Sequence, residues 1–142
     1  MTDTRTPEPW PARTARLQVR PCTPADVDAM WEWRRLPEVN RWLGAAPDTQ
    51  DAFRERYLDP ERLASLYIVE LLPDAESTTP TPIGDIMVRR GDGWAQLEVD
   101  ARAKGVEAEL GWVLDPAHTG HGYATEAIRA VIDVCFGALG LR

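Results

Sequence analysis

The sequence predicts an α+β domain within its 142 residues, and three features point to it. Short apolar runs at residues 66–72, 83–89 and 107–114 have the length of strands. No long gap separates the middle runs, so they pair antiparallel rather than through helical crossovers. Residues 122–138 then carry apolar side chains at 124, 127, 128, 131, 134, 135 and 138, which lie along one face of a helix.

Taken in chain order, residues 1–15 are rich in Thr, Pro and Arg and read as a disordered tail, with the folded domain over 16–142. Leu17-Gln-Val-Arg20 alternates as a short strand and is stopped by Pro21. Thr23 suits a helix N-cap and Pro24 the first helical position. That helix runs through Val27, Met30, Trp31 and Arg34 to about Leu36, where Pro37 ends it. A second helix lies between Pro47-Asp48 and Asp59-Pro60, marked by Phe53, Tyr57 and Leu58. The strand at 66–72 is followed by a polar, Pro-rich loop over 73–82. The strand at 83–89 ends in the turn Gly91-Asp92-Gly93. Residues 94–104 fit an extra strand or a short helix equally. The strand at 107–114 is stopped by Asp115-Pro116.

A composition of 44% hydrophobic and 27% charged residues is that of an ordinary globular domain. The net charge of −7 argues against a nucleic-acid backbone as the main partner. No apolar run is long enough to cross a membrane, and no signal peptide is recognisable at the N-terminus. Cys22 and Cys135 form neither a disulfide framework nor a metal spacing, so the cytoplasm is the default location.

The most informative stretch is the junction between the strand at 107–114 and the helix after it. Gly120 and Gly122 carry no Cβ, so the backbone there can turn sharply and approach a ligand. The following helix presents free N–H groups and a positive dipole end. Strand, Gly-x-Gly turn and helix together read as a phosphate cradle made of main chain. No lysine follows the turn, so it is not a Walker-type loop. Thr125 stands where a dinucleotide fingerprint needs its third glycine.

Thr119-Gly120-His121-Gly122-Tyr123-Ala124 resembles the acetyl-coenzyme A signature of the GNAT (Gcn5-related) N-acetyltransferases. The string 108–114 before it, 122–127 within it, and Trp33-Arg-Arg-Leu-Pro-Glu-Val-Asn-Arg-Trp-Leu43 resemble the family's RimJ/RimL branch. The likeness covers about residues 17–142. It implies a mixed, mostly antiparallel sheet flanked by helices, the acyl-CoA N-acyltransferase fold. It also implies acetyl-CoA as cosubstrate without a metal, and a primary amine as acceptor, either a small molecule or a protein N-terminus.

Two departures stand out. Thr119 replaces the usual Gln or Arg of the signature. The family pattern also continues past this helix with further strands and a helix, including a tyrosine that often acts as general acid. A domain closing at Arg142 would leave an open sheet edge and an apolar helix face, from which a homo-oligomer is expected.

The resemblance assigns cofactor contacts to Thr119, Gly120, His121, Gly122, Tyr123, Ala124 and Thr125 of the turn. It adds the main chain of Trp112, Val113 and Leu114, which would pair with the pantetheine amides. A main-chain N–H near Gly111 or Trp112 is the expected oxyanion donor, with Gly111 marking a bulge. Glu109 shares a strand face with Glu107, Gly111 and Val113 and is the candidate base; the alternative is that both acids only solvate an exposed face. Trp33, Arg34, Arg41 and Trp42 are candidates for the acceptor groove, whereas Trp31 reads as core. His118 and His121 lack carboxylate or cysteine neighbours and do not form a metal set. Cys135 falls on the apolar helix face. The competing function is a catalytically degenerate CoA-binding module that senses a ligand or contacts a partner without turnover. A third possibility is that the chain is a fragment of a longer polypeptide.

Overall fold

The computed structural model describes residues 8–44 and 46–142. Its centre is a five-stranded sheet in sequential order: β1 (Ala12–Arg13), β2 (Leu17–Pro21), β3 (Leu66–Leu71), β4 (Thr81–Gly91) and β5 (Glu107–Leu114). Every pairing is antiparallel. The helices are α1 (Asp26–Arg34), α2 (Pro37–Asn40), α3 (Gln50–Tyr57), α4 (Pro60–Ala64) and α5 (Tyr123–Phe136).

Strand alternation sends side chains to opposite faces, and each face builds its own core. Leu17, Val19, Val69, Ile86 and Val88 meet Ala127, Val131 and Cys135 of α5. Those three α5 residues recur every fourth position, which keeps one stripe of the helix against the sheet. On the other face, Leu66 and Ile68 meet Val27, Met30 and Trp33 of α1 and Phe53 and Tyr57 of α3. Each large side chain withdrawn from water in this way contributes about 1.5–3 kcal/mol.

Several expectations need correction. The tail expected to be disordered through residue 15 is structured from Trp10 onward. Ala12 and Arg13 pair with Val19 and Gln18, and the Trp10 ring lies 4.3 Å from that of Tyr67; residues 1–7 lie outside the described residues. Pro37 does end α1, but it also starts a one-turn helix. Leu36 is extended at ψ 129°, as a residue before proline prefers, and the fixed φ of Pro37 then suits a first helical position. Pro60 does the same for α4, capped by Asp59, whose carboxylate accepts from the Arg62 N–H at 3.1 Å.

Thr23 does not accept a capping hydrogen bond. Its N–H and hydroxyl instead donate to the Asp26 carboxylate at 2.7 and 2.9 Å. Residues 97–103, in the undecided segment, form 3₁₀ turns rather than a strand. The bulge expected at Gly111 is absent, since β4 and β5 pair without a shift. The irregularity lies between Val69 and Glu70, opposite Pro82, which has no N–H to give the ladder.

Candidate active site

The junction after β5 is built by local capping. Asp115 accepts from the Ala117 N–H at 3.0 Å, and Pro116 opens a single 3₁₀ turn. Gly120 and Gly122 then adopt φ of +84° and +79°, a left-handed conformation that side-chain-bearing residues rarely take. Gly122 is the N-cap of α5 and brings no side chain to the first-turn N–H groups, which lack a side-chain cap. The turn therefore presents unsatisfied amide donors at the positive end of a 14-residue helix.

Two residues the sequence did not single out brace this turn. Glu126 accepts from the Thr14 hydroxyl and from the Arg16 main-chain and side-chain N–H groups. Arg16 also lies over the Tyr123 ring, 4.5 Å from its centroid. Burial works against the Glu126 charge, but the hydrogen bonds from Thr14 and Arg16 outweigh it and hold the carboxyl below its ordinary range. Thr119 is exposed, and its hydroxyl donates to the Pro116 carbonyl at 2.9 Å. His121 and Thr125 are exposed, and the His121 ring rests 5.3 Å from that of Tyr123.

β5 is the outer strand of the sheet among the described residues. The Asp115 N–H donates to the Ile83 carbonyl at 2.7 Å, continuing the register in which Val113 faces Asp85 and Gly111 faces Met87. In an antiparallel ladder, hydrogen-bonded and non-bonded pairs alternate. Gly111 and Val113 therefore direct their amides to β4, while Leu110, Trp112 and Leu114 direct theirs outward. Of the two expected oxyanion donors, only Trp112 has its N–H on the open edge.

A groove of about 880 Å³ opens on the α1–α3 face of the sheet. Glu109, Gly111 and Val113 form part of one wall, as the alternation of β5 predicts, with Tyr57, Arg56 and Arg62 opposite. Glu109 is exposed and ion-paired with Arg89, its register partner on β4. A small apolar hollow lies on the other face, under Trp112–Leu114 and beside Ala124, Ala127 and Ile128. The groove and the hollow share Trp112 and Val113.

The tryptophan assignments hold for Trp31, which packs against the α1–α3 core, but not for Trp33. Trp33 is buried and does not line the groove, and the half-buried Trp31 packs on the same core, 5.2 Å from the Phe53 ring. Val27, Met30 and Trp33 share the inward face of α1, which fixes this choice. The Trp33 Nε1–H donates to Asp85 at 2.7 Å, and Arg34 binds the same carboxylate through Nε and Nη2. Burial disfavours the Arg34 charge, but Asp85 outweighs it and keeps the guanidinium protonated. Arg34 does line the groove. Arg41 and Trp42 do not; they are exposed and lie against each other at 5.4 Å, while the adjacent Leu43 and Gly44 reach the rim.

Sequence patterns passed over Asp85, which with Glu70 is one of two buried acids inside the apolar strands, and the arginines beyond α1. Only the isolated charge of Asp85 could have been noticed. Among the described residues, no group of three or more His, Cys, Asp or Glu side chains is placed to hold a metal ion. No helix described is long and apolar enough to cross a membrane.

Comparison with known proteins places these features. The family model described as an acetyltransferase (GNAT) domain matches residues 16–142. A GNAT-family acetyltransferase from Bacillus anthracis superposes with a TM-score of 0.68 at 22% identity, over 92% of this chain and 68% of that one. An acetyltransferase from Agrobacterium tumefaciens is 28% identical with a TM-score of 0.61, covering 91% and 68%. The aminoglycoside acetyltransferase AAC(6')-Ib in complex with coenzyme A is 25% identical with a TM-score of 0.63, covering 88% and 70%. No curated protein matches in sequence.

Proposed function

The chain belongs to the GNAT acetyltransferase family, and from that premise we propose that it transfers an acetyl group from acetyl-CoA to a primary amine. The observation that carries this reading is the meeting of two surfaces at Trp112 and Val113. An amide-rich turn and open strand edge lie to one side, and a large groove to the other. A two-substrate transfer needs such a junction, because both reactants must reach the same atoms from different directions.

The residues present fit the cosubstrate. Around Gly120 no heavy atom stands within 4 Å of where a Cβ would be, so a diphosphate can approach the main chain. Hydrogen bonds from amides to such an anion contribute about 1.5–3 kcal/mol each. The outward amides of Leu110, Trp112 and Leu114 suit the amide-bearing arm. Acetyl-CoA, when bound, supplies an acetyl group activated as a thioester. Thr119 contributes little here, since its hydroxyl proton is committed to Pro116.

In this reading Glu109 takes the proton from the incoming ammonium, directly or through one water, and Arg89 holds its carboxylate in place. The Trp112 N–H donates to the carbonyl oxygen as negative charge grows on it. Arg34, fixed by Asp85, forms part of the wall against which the acceptor rests.

The test combines calorimetric titration with acetyl-CoA and thiol release measured across a panel of amines and N-terminal peptides. Binding together with release, reduced at least tenfold by Glu109→Gln in single turnover, is expected. Binding without release for any amine would favour a CoA-binding module, and absence of binding would overturn both readings.

A further inference from the structure

The groove beside β5 gathers four arginines in an otherwise acidic chain. Its walls carry Arg34, Arg56, Arg62 and Arg89 against Asp59, Glu61 and Glu109, a small basic excess where the sequence as a whole has a net charge of −7. Arg34 is matched by buried Asp85, and Arg89 by Glu109. Among the described residues, Arg56 and Arg62 have no ion-pair partner.

Both guanidiniums flank one aromatic ring. The Arg56 and Arg62 carbons lie 6.0 and 5.6 Å from the centroid of Tyr57, with Arg34 at 5.3 Å. The Arg56 Nε is buried with no hydrogen-bond partner. With that nitrogen shut away from solvent, ligand contact from the groove falls to the terminal nitrogens of the guanidinium, and the charge has no partner within the described residues. The neighbouring acids do not serve: Asp59 caps α4 through the Arg62 N–H, and Glu61 makes no ion pair among the described residues.

We propose that Arg56 and Arg62 form a carboxylate-recognition subsite, and that the acceptor is the N-terminus of a peptide bearing acidic side chains within its first residues. This rests on the acetyltransferase reading. A volume of about 880 Å³ is large for one amino acid and suits several residues of extended chain. The acceptor α-amine then reaches Glu109 across the groove, while a following Asp or Glu side chain meets the arginines. The forked geometry of a guanidinium favours a carboxylate over a neutral or cationic group. A polycationic amine is disfavoured by the same pair.

The experiment uses two tetrapeptides, Ser-Asp-Asp-Ala and Ser-Lys-Lys-Ala, titrated into the full chain without acetyl-CoA and then compared as acceptors by thiol release. The acidic peptide is expected to bind about tenfold more tightly at low salt. The preference should vanish in Arg56→Gln/Arg62→Gln, a variant checked for an unchanged circular dichroism spectrum and melting temperature. Single Arg62→Gln, whose side chain is on the surface turn of α4, provides the same readout should the double variant fail to fold. Equal binding of both peptides, or a preference that survives the substitutions, overturns the subsite. Thiol release that is equal for both peptides overturns it while leaving acetyl transfer standing. Selective binding without release upholds the subsite and removes acetyl transfer instead.

Discussion

Asp85 offers the sharpest test of how the groove is held together. Its side chain is 1% exposed and that of Arg34 10% exposed, and Trp33 donates a third hydrogen bond to the same carboxylate. Replacing Asp85 by Leu leaves a buried guanidinium without its counter-charge and an indole N–H without an acceptor. Breaking a buried pair from one side costs about 3–5 kcal/mol, and a stranded neutral donor adds about 1–3 kcal/mol. Against a total stability of about 5–15 kcal/mol for a domain, most of the folded population is at risk. Asp85→Asn keeps one acceptor oxygen and should lose about 3–5 kcal/mol, with a fall in melting temperature of roughly 10–15 °C. Urea unfolding followed by tryptophan fluorescence measures the loss directly. The paired change Arg34→Met with Asp85→Leu removes both charges, so it should be far milder than Asp85→Leu alone. A loss below about 1 kcal/mol for Asp85→Asn would refute the view that this carboxylate anchors α1 to the sheet.

Other outcomes follow from the same geometry. Gly122→Val forces a β-branched residue into φ near +79°, so it should cost about 1–2 kcal/mol in urea unfolding and weaken acetyl-CoA binding by calorimetry. Burial opposes the charges of Glu126 and Asp26, but their hydrogen bonds to Thr14 and Arg16, and to Arg20 and Thr23, hold both carboxyls below their ordinary values. That stabilisation is complete above the unfolded-chain values and is lost as pH falls through the folded ones. Melting temperature should therefore drop below roughly pH 4, with a shallower acid limb in Glu126→Gln. Burial pushes the Cys22 thiol up to about 12 and that of Cys135 in the same direction. A thiol-exchange reagent at mildly alkaline pH should modify neither in the native protein and both after unfolding.

Much of the fold was legible because it depends on local rules. The periodicity of α5 and the lengths of β3 and β5 follow directly from the spacing of apolar residues. Proline was harder to read, since Pro37 and Pro60 each stop one element and start the next, and only the backbone of the preceding residue decides between the two. The tail was misread for a different reason. Ala12-Arg13 has no pattern of its own and becomes a strand by pairing with β2, while Trp10 is held by a ring 57 positions away.

The candidate site divides along the same line. The turn at Gly120–Gly122 is a local motif, and its left-handed glycines, free amides and following helix all stand where the sequence implied. The groove is assembled from α1, α3, α4, β3, β4 and β5, so no stretch of sequence announces it. Trp33 and Trp42 illustrate the difficulty, since both are aromatic residues in one motif-like string. A rotation of about 100° per residue along α1 buries the first, whereas the second lies between α2 and α3 and is 82% exposed.

Among the described residues, the outer edge of β5 offers main-chain groups with which a ligand or another strand can pair. Unprotected edges of native sheets are usually short, kinked by bulges, or guarded by proline and lysine. β5 is eight residues long, pairs without a bulge and contains neither proline nor lysine. Its outward amides recur at every second residue, about 6.8 Å apart, and Trp112 stands exposed beside them. At its start, the Arg142 N–H already donates to the Val106 carbonyl, so chain approaches this edge from the α5 side. Near Leu114 the edge opens instead toward the glycine turn. An extended, amide-bearing ligand can thus pair with the end of β5 while its anionic group meets the amides of α5. In the proposed reading an acyl-CoA makes both sets of contacts at once, which a bare phosphate cannot do.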